Sequence, residues 1–161
     1  MADAAPRSRR SAGILLFRRT ETGVEILLGH PGGPYFEHKD VGAWSIPKGQ
    51  VENGEDLLAV AKREFGEETG HVVGSNARLL ELGSIRQRGG KTVHAWALEG
   101  DMDPAEARSN TFRMEWPPRS GIFIDVPELD QVAWFTPAQA RVAMNPAQVA
   151  LIDALLERLD G

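Results

Sequence analysis

Residues 49–71, GQVENGEDLLAVAKREFGEETGH, decide how this sequence is interpreted. A helix is predicted from about Glu55 to Thr69. Gly70 is expected to end it, because glycine readily takes the left-handed conformation that closes a helix. At 100° per residue, the apolar side chains form one stripe about 100° wide, which predicts a face packed on a sheet. The residues of this stripe are Leu57, Leu58, Ala61 and Phe65.

Three carboxylates on the same helix are not explained by packing. With Glu64 placed at 0°, at the edge of the apolar stripe, Glu68 falls at about 40°, inside the stripe, and Glu67 falls about 60° beyond Glu64 on the other side. Like charges at this spacing destabilise a helix, and near its C-terminal end they also oppose the helix dipole. A divalent cation removes both penalties, and oxygen-only ligands indicate Mg2+, with Mn2+ as a possibility. On this geometry alone, a solvated acidic face stays an open alternative.

The sequence around these carboxylates resembles the Nudix box, GX5EX7REUXEEXGU, where U is a bulky apolar residue. All seven fixed positions are matched and Phe65 fills the first apolar one. The matching residues are Gly49, Glu55, Arg63, Glu64, Glu67, Glu68 and Gly70. His71 departs from the pattern, since an aliphatic residue is usual there, and this departure concerns local packing more than catalysis. The resemblance implies the Nudix fold, an α/β (α+β) architecture with a mixed β-sheet sandwiched between helices.

The resemblance also implies a reaction and a role for each of several residues. Nudix hydrolases are pyrophosphohydrolases that cleave a phosphoanhydride bond of a nucleoside polyphosphate by attack of water, with Mg2+ as cofactor. Glu64, Glu67 and Glu68 are the implied metal ligands, and the backbone carbonyl of Lys48 is a further one. Arg63 is expected to orient the box carboxylates. A carboxylate, such as that of Glu67 or Glu68, is expected to take the proton of the water.

A later glutamate is a second candidate for that catalytic role. In many members of the family, a glutamate six residues before a tryptophan of a late strand supplies a metal ligand or the base. Glu128 precedes Trp134 by six residues, and Asp130 and Glu115 are the fallback candidates. The alternative interpretation of Glu128 is an ordinary loop acid beside Pro127.

Motifs outside the box bear on the substrate class, but they are less specific than the box itself. WSIPKG at 44–49 and GED at 54–56 resemble the diadenosine polyphosphate hydrolase branch. The stretches 30–34 and 109–118 resemble bacterial Nudix proteins predicted to be NTP pyrophosphohydrolases. The candidate substrate contacts are the cations Lys48, Arg86 and Lys91 for phosphate and the aromatic residues Tyr35 and Trp116 for a base. For each of them, an ordinary surface charge or a packing role is the alternative.

There are three alternatives to this polyphosphate hydrolase. A catalytically silent Nudix-fold sensor would bind a nucleotide without cleaving it, but silent members usually lose box carboxylates that this chain keeps. A housecleaning hydrolase of oxidised dNTPs would differ from the leading hypothesis only in substrate. The sequence argues against a calcium-binding protein, because the Asp-x-Asp-x-Asp-Gly loop spacing is missing.

Composition limits the remaining classes. The 161 residues carry 18 basic and 23 acidic side chains, a net charge of −5, which argues against a broad nucleic-acid surface. There are no cysteines, and apolar runs such as that at 14–17 are far too short to span a membrane. We therefore predict a cytoplasmic protein without a nucleic-acid or membrane partner, a monomer or homodimer. Its single Nudix domain covers 11–161 behind a flexible tail at 1–10.

Alternation and turn residues predict the other elements. Strands are expected at 11–19, 24–30, 79–86, 93–99 and 132–135. Thr136 and Pro137 are expected to begin a short helix, and the apolar spacing predicts an amphipathic helix over 148–159. Residues 100–125 show no pattern that assigns them.

Overall fold

A computed structural model describes residues 9–160, and the predicted tail therefore lies outside the described residues up to residue 8. Arg10, which was predicted to belong to the tail, is the first residue of a strand. The strands β1–β8 are Arg10–Thr20, Gly23–Pro31, Lys48–Gln50, Leu79–Arg86, Thr92–Glu99, Thr111–Glu115, Phe123–Pro127 and Leu129–Phe135. The helices α1–α3 are Leu57–Thr69, Pro137–Ala143 and Ala150–Asp160.

The main sheet is mixed, as predicted. Its order is β4-β5-β1-β2-β8, with β3 attached to β1. β1 and β5 run parallel over their whole paired length, from Arg10 beside Thr92 to Phe17 beside Glu99, whereas the other pairs are antiparallel. Because β1 is central and almost completely buried, its continuous apolar run fits a strand covered on both faces.

β1 and β2 separate in the middle of the sheet, and the segment before the box fills the gap. The two strands pair only from Phe17 to Thr20 on the β1 side, and the first residues of β1 pair with β3 instead. Gly29 and Ser45 exchange two backbone hydrogen bonds of 2.8 and 2.9 Å, and the Ile14 N–H donates to the Pro47 carbonyl at 3.2 Å. The beginning of the box is therefore held by strands on both sides.

Helices cover both faces of the sheet, which confirms the predicted sandwich. Helix α1 packs on one face, where Phe65 and Val60 meet Ile14 and Leu16 of β1. Helices α2 and α3 pack on the other face, where Leu151 and Leu155 join a second apolar cluster with Phe17. In residues 9–160 no helix combines the length and the apolar character that crossing a membrane requires.

Several boundaries differ from the sequence-based expectations. The last strand, β8, begins at Leu129 instead of residue 132. Residues 100–125, which were left unassigned, contain a separate two-stranded hairpin of β6 and β7. Most of the side chains in this hairpin are exposed or half-buried, so its strands lack a buried face that would give them a pattern. Helix α1 begins at Leu57, not near Glu55. The predicted helix at 148–159 is a 3-10 turn at 146–148 followed by α3, which begins at Ala150.

Candidate active site

Helix α1 is closed at both ends by local hydrogen bonds. The Asp56 carboxylate accepts the Ala59 N–H at 3.0 Å, so Asp56 caps the N-terminus and leaves Glu55 in the preceding loop. Gly70 has φ of 79° and donates its N–H to the Gly66 carbonyl at 2.8 Å, as the predicted C-terminal stop. His71 follows, and its ring packs edge-on against Phe65 with the ring centroids 6.1 Å apart. The unusual residue of the box therefore packs against the core.

Glu68 lies in the apolar stripe of α1, where helical periodicity places it, and only 6% of it is exposed. Burial, together with the neighbouring charge of Glu64, raises the pKa of Glu68 to about 8. The charge of Lys48 and a hydrogen bond from the Lys48 backbone act in the opposite direction without reversing the shift. In the absence of a further cation, this carboxyl group is therefore protonated at neutral pH.

Glu64 lies against the first residue of the box. Its carboxylate sits directly over Gly49, at a distance that leaves no space for a side chain at residue 49. Burial raises the pKa of Glu64, and the charge of Glu67 raises it further. Glu67 itself is exposed on the outer side of the helix.

Glu128 lies between β7 and β8 and is electrostatically coupled to the same cluster. Its backbone is fixed on both sides, because its carbonyl accepts the Gly32 N–H at 3.1 Å and its N–H donates to the Asn110 carbonyl at 2.9 Å. Burial raises the pKa of Glu128, with a contribution from Glu67, and Lys48 lowers it in part. The structure thus brings Glu128 within electrostatic reach of the box carboxylates, whereas its catalytic role stays a prediction.

The two fallback carboxylates have other partners. The Asp130 carboxylate forms a hydrogen bond with His30 Nδ1, with 2.8 Å between Oδ1 and Nδ1. Glu115 accepts the N–H groups of Arg119 at 3.0 Å and Gly121 at 3.1 Å, which closes the turn of the β6–β7 hairpin. These contacts explain both side chains structurally and favour Glu128 over them.

Lys48 is the cation of this cluster. It belongs to β3, opposite Gly13 of β1, and is half-buried. Desolvation lowers the pKa of Lys48 and the charge of Lys91 lowers it further, while Glu68 and Glu128 raise it. One partly desolvated ammonium group therefore faces several carboxyl groups.

Arg63 connects the loop of the box to its helix. Arg63 Nη1 donates to Glu55 Oε2 at 2.6 Å, and its other nitrogens lie 3.7 Å from Glu64 Oε1 and 4.0 Å from Glu67 Oε1. Glu55 Oε1 accepts the Glu52 N–H at 2.9 Å. Arg63 thus contacts the carboxylates that it was expected to orient.

The predicted substrate contacts form two groups, one aromatic and one cationic. Tyr35 and Trp116 meet edge to face, with ring centroids 5.2 Å apart, between the loop after β2 and the end of β6. Arg86 ends β4 and Lys91 lies in the turn before β5, where both are exposed. Lys91 is close enough to Lys48 to lower its pKa, but no contact with a substrate tests these assignments.

Gln148 is a positioning residue that the sequence did not reveal. It is completely buried, and its Oε1 accepts the Ile46 N–H at 3.1 Å. Its Nε2 donates to Ser45 Oγ at 2.9 Å and to Gln87 Oε1 at 2.8 Å. Gln148 therefore joins the segment that leads into Lys48 to the turn that carries Lys91, across about 100 residues of sequence. A local pattern cannot show a connection of this length.

The donor set fits a hard divalent cation. The carboxylates of Glu64, Glu68 and Glu128 are partly or wholly desolvated, and burial together with mutual repulsion raises their pKa values. A cation bound among them would relieve that repulsion, and carboxylate oxygens are the ligands that Mg2+ prefers. Among residues 9–160, no three acidic or histidine side chains converge closely enough to define a coordination geometry. The fit consequently rests on donor chemistry and charge.

Comparison with known proteins agrees with this arrangement. The chain is 34% identical over 102 residues to an 8-oxo-(d)GTP phosphatase of Mycolicibacterium smegmatis, covering 59% of this chain and 31% of the relative. It is 33% identical over 102 residues to the asymmetrical bis(5'-nucleosyl)-tetraphosphatase of Rattus norvegicus, covering 56% of this chain and 64% of the relative. The chain thus spans less than two thirds of the length of either protein.

The fold has a full-length counterpart among solved structures. The binary complex of the C. elegans Ap4A hydrolase superposes with a TM-score of 0.65 and 20% identity, covering 94% of this chain and 98% of that one. In addition, residues 7–155 match the sequence profile of the NUDIX domain. With the box residues gathered on one loop and helix of this fold, the chain belongs to the Nudix family.

Proposed function

We propose that this protein is a Mg2+-dependent Nudix pyrophosphohydrolase of nucleoside polyphosphates, with dinucleoside polyphosphates as the leading substrate class. The observation that carries the proposal is the buried carboxyl group of Glu68, which lies among Glu64, Glu128 and Lys48 beside strand β3, where the box begins. A buried acid with raised pKa beside other acids is costly for a purely structural role. It is suited to a site that receives a cation with its anionic substrate.

In this proposal, Glu64, Glu67 and Glu68 hold the metal, with the Lys48 carbonyl as a further ligand. When bound, Mg2+ neutralises phosphate charge, aligns the polyphosphate and lowers the pKa of the attacking water. Glu128, or a box carboxylate, takes the proton of the water as its oxygen bonds to phosphorus and the anhydride P–O bond breaks. The Lys48 ammonium and Lys91 hold phosphate oxygens.

The substrate class rests on the two aromatic side chains at the rim. Tyr35 is 54% exposed and meets the half-buried Trp116 edge to face, and aromatic rings of this kind can stack on a base. The names of the relatives support both a bis(5'-nucleosyl) polyphosphate and an oxidised nucleotide as substrate. A dinucleotide is favoured by the tryptophan and Pro-Lys-Gly before the box and Gly-Glu-Asp within it.

A panel of substrates at fixed Mg2+ tests this function, with products separated by chromatography. The panel contains diadenosine tetra- and hexaphosphate, NTPs, 8-oxo-dGTP, ADP-ribose and NADH. We expect cleavage of the dinucleotides above the rest, complete loss of cleavage with EDTA, and at least a 1,000-fold loss in Glu68→Gln, on the order of what removing an essential catalytic group costs. Glu157→Gln, an exposed glutamate of α3, is the matched control and should retain full activity.

Each contrary result has a definite meaning. Preferred cleavage of 8-oxo-dGTP would show that oxidised nucleotides, and not dinucleoside polyphosphates, are the substrate class, and it would leave the proposed mechanism unchanged. Binding of nucleotides without cleavage of any would identify a silent sensor. A Glu68→Gln enzyme with near wild-type rate would reject the mechanism. A location in the cytoplasm and a monomeric or homodimeric state stay predictions.

A further inference from the structure

A second pocket lies on the face of the sheet opposite α1, away from the box. It is enclosed by the ends of β1, β4 and β5 and by the last turn of α3, and its volume is about 450 Å³. Pockets that bind small organic molecules typically measure about 300–1,000 Å³. Phe17, which lines it, lies four residues beyond Gly13, the partner of Lys48 in β3. At about 3.3 Å per residue, this separates the pocket from the box by about 13 Å along β1.

The floor of the pocket is apolar. Phe17, Leu80 and Leu159, which belong to the apolar cluster on this face, line it from β1, β4 and α3. Phe17 is buried in the core, while Leu80 and Leu159 are partly open to the pocket. These surfaces can hold the apolar part of a ligand and release water from it.

The rim of the pocket is cationic in an otherwise acidic protein. Three arginines and one glutamate are its charged residues, so the lining carries a net charge of +2, whereas the whole chain carries −5. The arginines are Arg19, Arg78 and Arg158, and the acid is Glu99. A concentration of like charge at an apolar cavity favours a ligand of opposite charge.

The three arginines are engaged to different degrees. Arg158 is fixed, because its Nε and Nη2 donate to the Glu81 carbonyl at 3.0 and 2.8 Å. Arg19 makes a long ionic contact of 3.4 Å with Glu99, between two side chains that are each 55% exposed, and its guanidinium lies 6.0 Å from the centroid of the Phe17 ring. Within residues 9–160, Arg78 has no hydrogen-bond or ionic partner. Arg78 and Arg19 are therefore available to a ligand without loss of a strong internal contact.

We propose that this pocket binds an aromatic anion, a ring system that carries one carboxylate or phosphate group. The ring lies on the Phe17 and Leu80 surface, and the anionic group is bound by Arg78 with Arg19 beside it. Arginine suits this role because its planar group forms two parallel hydrogen bonds with a carboxylate or phosphate. This site is separate from the proposed hydrolase site and shares no residue with it.

Titration with three naphthalene probes tests the proposal. We would follow 15N amide shifts and binding heats for 2-naphthyl phosphate, 2-naphthoate and the uncharged 2-naphthol, without divalent cations. We expect the two anions to bind at least tenfold more tightly than 2-naphthol, with shifts centred on Ala77, Leu80 and Leu98. Comparison of the two anions distinguishes a phosphate ligand from a carboxylate ligand.

Variants then assign the binding to the arginines. Arg78→Gln should weaken both anions about tenfold and leave 2-naphthol unchanged, and Arg19→Gln should weaken them less. Arg113→Gln is the matched control, since Arg113 lies over the Phe123 ring of the β6–β7 hairpin, 4.6 Å from its centroid. Equal affinity for all three probes, shifts centred on the hairpin, or unchanged affinity in Arg78→Gln would overturn the proposal.

Discussion

The carboxylate of Glu64 occupies the space that a side chain at residue 49 would need, so Gly49 and Glu64 fit together only because residue 49 is glycine. This relationship gives the first glycine of the box a steric role. A methyl group there would meet the Cγ, Cδ and Oε2 atoms of Glu64. Since the β3 strand at Gly49 is paired with Ala12 of β1, the glutamate is the partner that has to move.

Gly49→Ala should therefore damage activity more than stability. We expect a loss of at least tenfold in kcat, because a small displacement of a positioned group is enough to disturb catalysis. Gly74→Ala is the control, since no atom lies within 4 Å of the added methyl group and φ is not positive there. Steady-state kinetics and thermal unfolding of both variants would check this, and an active Gly49→Ala enzyme would contradict the steric role.

The stability of the metal-free protein should depend on the protonation of Glu68. Its pKa is about 8 in the folded state and near 4.5 in the unfolded chain, so folding favours the protonated acid. The stabilisation of the folded state by protonated Glu68 is complete below pH 4.5 and is lost as the pH rises towards and through 8. Urea denaturation in EDTA should show wild-type stability falling by a few kcal/mol more than that of Glu68→Gln between pH 5 and 9.

Adding Mg2+ supplies the control for that experiment. Because a bound cation favours the ionised carboxyl group, it should reduce the difference between wild type and Glu68→Gln at high pH. Parallel stability curves for the two proteins in EDTA would contradict the raised pKa.

The ion pair of Glu55 and Arg63 should affect activity by keeping Arg63 in position to orient the box carboxylates. Glu55→Gln removes the charge that holds Arg63, but the partly exposed pair contributes little to folding. We expect kcat to fall about tenfold with little change in the midpoint of thermal unfolding. Glu52→Gln, an exposed neighbour whose side chain takes no part in these contacts, should behave as wild type. A large drop in stability with unchanged kcat would assign the pair a structural role instead.

Gln148→Leu should lower both stability and activity. The substitution leaves the Ile46 N–H without its acceptor in the core, which costs about 1–3 kcal/mol in free energy of unfolding. It also frees the segment before Lys48 from the turn that carries Lys91. Ser45→Ala, which removes one of the three contacts of Gln148, should have a smaller effect on both quantities. Chemical denaturation and KM for the best substrate would separate these two contributions, and equal effects in both variants would reject this role.

Local sequence rules predicted α1 and much of its chemistry. The burial of Glu68 follows from its position in the apolar stripe, and the end of the helix follows from Gly70, because both depend on neighbours within a few residues. The start of the helix was placed too early because Glu55 fits a helix as well as a loop. Only the structure shows that Asp56 is the capping residue.

The remaining parts depend on long-range contacts. The β6–β7 hairpin escaped detection because residues such as Phe123 and Ile124 are exposed, so no alternation of buried and exposed positions marks it. The insertion of 44–47 between β1 and β2, and the buried amide of Gln148, join residues that are far apart in sequence. Glu128 was proposed from its spacing to Trp134. Only the structure shows that it lies within electrostatic reach of the box carboxylates.

The central position of β1 also bears on how the chain is made. Arg10 of β1 pairs with Thr92 of β5. The ribosome therefore adds 82 residues after Arg10 to reach the first residue of the parallel partner of β1. At about 5–20 residues per second, that delay is about 4–16 s. During it, the apolar run at 14–17 lacks that partner and is a site for aggregation or for capture by a chaperone. Yield during expression should consequently be more sensitive to synthesis rate than the stability of the finished protein suggests.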